Sequence, residues 1–237
     1  MASTFNTRGI VINRFAHREY DSRVTVYTLD FGKIDLLARG AQRSGSKLAA
    51  HIEPLSLVDL MIIKGKRTDY IGSAIVNDSY AAIKADLEKL QAAGKAINVF
   101  NRLVRHDEKD ETLFALLAEF LDIISRSDQK ATRLLSLWSL KFLAALGYKP
   151  ELYNCLGCSK RLEPTENYFS ASRGGVFCPA CSKNEHQSEK LDETSVKIMR
   201  LALSHTLSDL ANLRAEEKDW QRVGGAINNL LNFNIHN

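Results

Sequence analysis

CLGCSKRLEPTENYFSASRGGVFCPAC, residues Cys155–Cys181, holds every cysteine of the chain. They fall as two Cys-x-x-Cys pairs, Cys155/Cys158 and Cys178/Cys181, with nineteen residues between the pairs. A Cys-x-x-Cys turn offers two sulfurs on one tight loop. Two such turns brought together supply the four soft, tetrahedral ligands that zinc prefers. The residues between can bring them together: NYFSA and GVFC have strand character and flank SRGG, a turn-rich connection that predicts a hairpin. Gly157 and Pro179 suit tight loops inside the pairs. Two disulfides are the alternative in an oxidising compartment, and a redox pair is the alternative on a thioredoxin-like βαβ frame, which the surrounding pattern does not display. Four thiolates close the coordination shell and leave no place for a reactive water, so one zinc is expected here in a structural role. His186, just beyond, reads as a solvated loop residue. Residues 151–185 carry four basic and four acidic side chains, which gives the stretch no electrostatic claim on DNA. The chemistry is expected elsewhere.

On either side of this stretch the pattern is helical. Leu87, Leu90, Ala93, Ile97, Phe100 and Val104 recur at three- and four-residue spacing, as do Leu113, Leu116, Leu117, Phe120, Leu121 and Ile124. A broadly apolar helix is expected from an Asp128 N-cap to Gly147, with Pro150 barring continuation. After the cysteines, Asp192 is expected to cap a helix carrying Ile198, Leu201 and Ala202, and a last helix bears Val223, Ile227, Leu230 and Leu231. Gly224-Gly225 within it reads as a close-packing site. The cysteine module therefore interrupts a helical domain that resumes after it.

The first eighty residues read as strands: GIVINRF, RVTVYTL, KIDLLAR, LSLVDLMII and YIGSAIV. LDFGKI predicts a hairpin turn with Gly32 at positive φ, and Pro54 is expected to open the fourth strand. Five strands in about 80 residues suit an OB barrel, and an SH3-like barrel fits the pattern nearly as well. The class is thus α+β and multidomain. The expected division is a barrel over 1–80, a helical domain over 81–150, a four-cysteine zinc module over 151–185 and the rest of the helical domain over 186–237.

The 237 residues are 45% hydrophobic and 25% charged, ordinary globular values, with a net charge of +4. No apolar run approaches the ~20 residues of a membrane span. MASTFNTRG lacks the basic start and apolar stretch of a secretory signal, which predicts a cytoplasmic protein. No GxSxG, phosphate-binding Gly-rich loop or HExxH occurs, so an enzyme is not expected. The distribution of cations is more informative. Between Asp35 and Glu53 there is no acidic residue, yet Arg39, Arg43 and Lys47 fall there, and Lys64, Lys66 and Arg67 form a second cluster. The segment ARGAQRSGSK offers cations and backbone donors that can follow a phosphate backbone without reading bases. Arg14 joins these candidates from local charge. Nearby aromatics, Phe15, Tyr20, Tyr27, Phe31 and Tyr70, are candidates for stacking on unpaired bases, with core packing as the competing role. Two readings follow: a DNA-binding protein without catalytic activity, and a zinc-stapled interaction adaptor whose barrel scaffolds a partner.

The order of parts resembles the RecO family of bacterial recombination mediators along nearly the whole chain. The resemblance rests on GKIDLLARGAQRSGSKL, IEPLSLVDLMIIKGKRTDYIGSAIVNDSY, ADLEKL, FLAALGYKPELYNCLGC and GGVFCPAC, in that order and spacing. One departure is Ser159, where the family commonly places glycine after the second cysteine. Some members lack the cysteines, which fits a stapling role. The resemblance implies an OB fold, a helical domain and a zinc module in a cytoplasmic, nucleoid-associated protein. It implies binding of single- and double-stranded DNA and annealing of complementary strands. It also implies partnership with RecR, contact with the single-stranded-DNA-binding protein through the helical domain, and help in loading RecA at gaps. Carried over to matching positions, the DNA surface includes Arg39, Arg43, Lys47 and Lys66. Lys64, Arg67 and Arg14 are added from charge alone.

Overall fold

The computed structural model describes residues 3–185 and 187–236; His186 lies outside them. The chain forms two compact units, Met1–Ser125 and Arg126–Asn237.

The first unit opens with β1 (Thr4–His17), β2 (Asp21–Thr28) and β3 (Gly32–Ala38), followed by β4 (Leu57–Ile63) and β5 (Tyr70–Asp78). They close into a barrel in the order β1-β2-β3-β5-β4. β1 pairs antiparallel with both β2 and β4, and β3 meets β5 in parallel. That connectivity is the OB barrel, and it removes the SH3-like alternative. β1 can serve two neighbours because it is fourteen residues long and its register with β2 shifts between Val11 and Asn13. Inward-facing Val11, Val24, Val26, Leu36, Val58, Leu60 and Ile62 fill the interior, and Ala41 and Ile52 from the β3–β4 connection plug one end. Gly32 takes φ +66 in the β2–β3 turn, and a Cβ there would stand 2.2 Å from the Glu108 carbonyl oxygen. Pro54 does not open β4; the strand begins at Leu57, after Leu55 turns the chain with φ 64.

Three helices complete this unit: α1 (Ala81–Ala85), α2 (Leu87–Leu103) and α3 (Glu111–Arg126). Asp86 caps α2 by accepting from the Lys89 N–H at 3.0 Å. α2 buries Ala93, Ala96, Ile97 and Phe100, while Leu87 and Leu90, read as part of the same stripe, are exposed. The outer face of β2 is covered where Tyr27 packs edge-to-face on Phe100 (4.7 Å) and donates its hydroxyl to the Asp110 carbonyl at 3.1 Å. Lys33 is buried with it, its ammonium donating to the Asn101 carbonyl at 2.7 Å in the last turn of α2. There the helix dipole favours a cation. Burial of Phe100 and Tyr27 contributes about 2–3 kcal/mol each.

The second unit contains α4 (Ala131–Ala145), β6 (Asn167–Ser170), β7 (Gly175–Phe177), α5 (Pro179–Ser182), β8 (Glu189–Leu191), α6 (Glu193–Ser204), α7 (Leu207–Leu210) and α8 (Glu217–His236). α4 starts later than expected: Lys130, not Asp128, holds the N-cap position and makes no side-chain cap. The preceding loop is fixed instead by Gln129, whose side chain donates to the Leu213 carbonyl at 3.2 Å. Gly147 ends α4 at φ +93, with Tyr148 N–H bonded back to the Leu143 carbonyl. Asp192 caps α6 by accepting from Ser195 N–H at 2.8 Å. Val223, Ile227, Leu230 and Leu231 of α8 are buried. At Gly224 a Cβ would stand 3.5 Å from Ser136 Oγ of α4, an ordinary contact, so the packing of α8 on α4 does not require glycine there. Among the described residues no helix is long and apolar enough to cross a membrane.

Candidate metal centre and nucleic-acid interface

β6 and β7 form the hairpin expected from SRGG, with Gly174 at φ +65 in its turn, and β8 adds a third strand beside β6. The hairpin delivers Cys178 to the first cysteine turn. The sulfurs of Cys155, Cys158, Cys178 and Cys181 all lie within 4.8 Å of one another, with Cys158 and Cys178 at 4.0 Å. Zinc–thiolate bonds of about 2.3 Å set tetrahedral sulfurs about 3.8 Å apart, so the cluster needs little movement to hold a metal ion. Gly157 permits the approach: a Cβ there would lie 2.8 Å from Cys181 Cβ and 3.0 Å from its sulfur. The donors suit thiolates. Burial raises the Cys155 pKa, but N–H groups of Cys178, Cys158 and Gly157 outweigh it and bring the thiol down to about 6. Thiol contacts with Cys178 and Cys158 push Cys181 up to about 12. Four sulfurs this close cannot all ionise unless a cation sits among them. Glu151 buttresses the first turn, its carboxylate accepting from the N–H groups of Tyr153 (2.7 Å) and Asn154 (2.9 Å). Arg200 ties the module to α6, donating to the Leu152 carbonyl at 2.6 Å while lying over the Tyr153 ring.

The cations of the barrel are brought together by topology. β3 ends, β2 begins and β5 begins at the same end, so the β1–β2, β3–β4 and β4–β5 connections meet there. Gly40 N–H donates to the Asp21 carboxylate at 2.8 Å and Gln42 N–H to the Tyr20 carbonyl at 2.9 Å, joining two of these loops. Arg39 lies over Tyr70 at 4.2 Å and Arg43 over Tyr20 at 5.1 Å. Both arginines are exposed, as are Lys47, Lys64, Lys66 and Arg67. Lys64 pairs with Asp69 at 2.5 Å, while Lys47, Lys66 and Arg67 form no ion pair among the described residues.

Arg14 is placed differently. Its side chain is 18% exposed and its guanidinium pairs with Glu53. It also donates to Ser22 and to the carbonyls of Ala41 and Ala49 at 3.3, 3.2 and 3.0 Å. It clasps the base of the β3–β4 loop.

Of the aromatics, Tyr27 is in the core, Phe31 is half-buried and Tyr70 lies beneath Arg39, whereas Phe15 and Tyr20 are exposed. Register sets Phe15, Arg23, Leu37 and Tyr70 in one outward row across four strands. Arg23 carries no local signal in the sequence; only the pairing places it beside the loops. There it reaches Asp35 at 3.1 Å.

The comparisons agree in both halves. Residues 1–80 match the family model described as Recombination protein O N terminal, and residues 84–237 match Recombination protein O C terminal. The chain is similar to DNA repair protein RecO of Acetivibrio thermocellus, 27% identical over 218 residues that cover 92% of this chain and 86% of that protein. It is 28% identical to that of Dehalococcoides mccartyi over 97% of this chain and 90% of the relative. For that of Roseiflexus sp. the values are 30% identity over 89% and 74%. An OB barrel, a set of helices and a four-cysteine cluster, with family models matching residues 1–80 and 84–237, place the chain in the Recombination protein O (RecO) family, whose members act in DNA repair.

Proposed function

We propose that the chain is a recombination mediator without enzymatic activity. In this reading it binds single- and double-stranded DNA, anneals complementary strands and, with RecR, helps RecA load at gaps coated by the single-stranded-DNA-binding protein. The observation that carries it is the meeting of two cationic loops at one end of the OB barrel, with Arg39 and Arg43 held over tyrosine rings. Stacking fixes the guanidinium planes while leaving their N–H groups for phosphate. The DNA surface comprises Arg39, Arg43, Lys47, Lys64, Lys66 and Arg67, with Arg14 holding the loop beneath. The working division is the barrel over 1–80 for DNA, helices over 81–150 and 186–237 for protein partners, and the module over 151–185 as a staple. The staple holds one structural zinc on Cys155, Cys158, Cys178 and Cys181; the metal supplies the charge that keeps all four sulfurs ionised. The protein works in the cytoplasm at the nucleoid.

Phosphate contacts are blind to sequence, so random single strands bind alike. Log affinity falls against log salt with a slope of about −0.7 per phosphate neutralised. Replacing Arg39, Arg43 and Lys47 together by alanine is expected to flatten that slope by about 2 if each holds one phosphate. A folded triple variant with unchanged affinity and slope leaves an ordinary solvated loop and favours the adaptor reading.

A further inference from the structure

The barrel does not close evenly. Among the described residues, β3 pairs with β5 in register only at Leu37 and Tyr70, where Leu37 N–H donates to the Asp69 carbonyl at 3.0 Å. Near its other end β3 bridges His106 at Lys33, whose carbonyl accepts from Asp107 N–H at 3.0 Å. Backbone groups alternate sides along a strand, so Lys33, Asp35 and Leu37 present theirs to this same edge. Asp35, in the middle, has no strand partner there among the described residues. A groove of about 540 Å³ opens at that gap.

Its apolar wall is Phe5, Phe31, Ile34 and Ile62, with Phe5 and Phe31 edge-to-face at 5.8 Å. Asp30, Asp35, Asp69 and Asp107 stand around it against Lys64 and Lys109, with His106 beside them. Both ammonium groups are already paired, Lys64 with Asp69 and Lys109 with Glu111. Asp35 is held by Arg23 and Thr25, and Asp30 accepts from the Thr7 hydroxyl. Asp30 and Asp107 are exposed at one rim. In a chain of net charge +4, the unpaired charges of this groove are acidic, because Lys64 and Lys109 are already paired, and they favour a cationic occupant.

We infer that the groove receives a segment of a partner protein carrying an apolar side chain next to lysine or arginine, seated on the free backbone edge at Asp35. The volume lies in the range of about 300–1,000 Å³ usual for ligand sites. The apolar side chain desolvates against Phe5 and Phe31, the cation answers Asp30 and Asp107, and one residue of backbone pairs with the Asp35 N–H and C=O, a minimal strand addition. The inference does not rest on the DNA reading.

The test titrates the ¹⁵N-labelled full chain with acetyl-Lys-Phe-Arg-Phe-Lys-amide, with acetyl-Glu-Phe-Glu-Phe-Glu-amide and with deoxyadenosine. The cationic peptide is expected to shift the amides of Phe31, Ile34, Asp35 and Asp107 saturably. It should bind at least tenfold tighter than the acidic one. The double variant Asp30→Asn, Asp107→Asn, whose amide spectrum reports its fold, should bind it at least fivefold more weakly. A flat titration, equal binding of the two peptides or shifts confined to other amides overturns the inference. So does an unweakened double variant, or deoxyadenosine saturating these amides more tightly than the cationic peptide.

Discussion

Single residues decide whether the cysteine cluster can form. Gly157 lies so close to Cys181 that Gly157→Ala drives the two turns apart; the expected result is protein purified with less than one metal per chain, read by elemental analysis. Ser159 holds φ 59, a conformation disfavoured for residues with a Cβ, while its N–H donates to the Cys155 carbonyl at 2.8 Å. Ser159→Gly should therefore stabilise the module by about 0.5–1 kcal/mol, seen as slower metal loss to a chelator. On the barrel, Arg14 and Arg43 separate two roles that charge alone confuses. Arg14→Ala leaves the Ala41 and Ala49 carbonyls without their donor, at about 1–3 kcal/mol, and lowers the thermal midpoint. Arg43→Ala is expected to leave that midpoint within a degree or two and weaken DNA binding only.

Elements were legible where one residue type forces one geometry. The cysteine spacing, the SRGG hairpin, Gly32, Gly147 and the Asp192 cap all read directly, because each depends on neighbours in sequence. Asp128 misled because a carboxylate before an apolar run can cap a helix, yet the Gln129–Leu213 contact, far apart in sequence, sets where α4 begins. Leu87 and Leu90 fit the helical period but lie on the first turn of α2, exposed to solvent, and periodicity does not reveal where a neighbour stops. The candidate cations were visible as clusters; Arg23 and the row it shares with Phe15 required the strand register.

At this scale the four-cysteine segment is expected to respond as a unit to loss of a metal ion. Chelation should loosen β6–β7 exchange protection, and Cys178→Ser should reduce stability or yield while the folded remainder keeps its DNA affinity. The module is also expected to lose stability in acid. N–H groups of Asn154, then Tyr153, hold the Glu151 carboxyl below the usual carboxylate range. A depressed folded pKa gives stability that is present above the unfolded value, near 4.3–4.5, and lost as pH falls through the folded one. Glu151→Gln should lessen the fall in thermal midpoint as pH drops through the carboxylate range.

For the whole molecule, the charge is modest and mixed, which suits loose holding of two strands. A cationic surface lowers their repulsion and raises their effective concentration, whereas tight, sequence-blind binding hides the bases. Full-length protein is expected to speed annealing of complementary strands, naked or coated, equally with and without ATP. Strict ATP dependence, or no gain over spontaneous pairing, rejects the mediator reading. The long first strand has a further consequence, in time. β1 joins β2 through a short connection, but its other half pairs with β4, Phe5 against Ile62. Contacts close in sequence form first, because distant ones must close a loop before gaining anything. The β1–β2–β3 meander should therefore assemble early and the β4 side late. In pulse-labelled refolding, amides near Arg14–Ala16 gain protection before those near Thr4–Thr7. Gly9, opposite both Thr28 and Val58, marks where the early half of the barrel hands over to the late one.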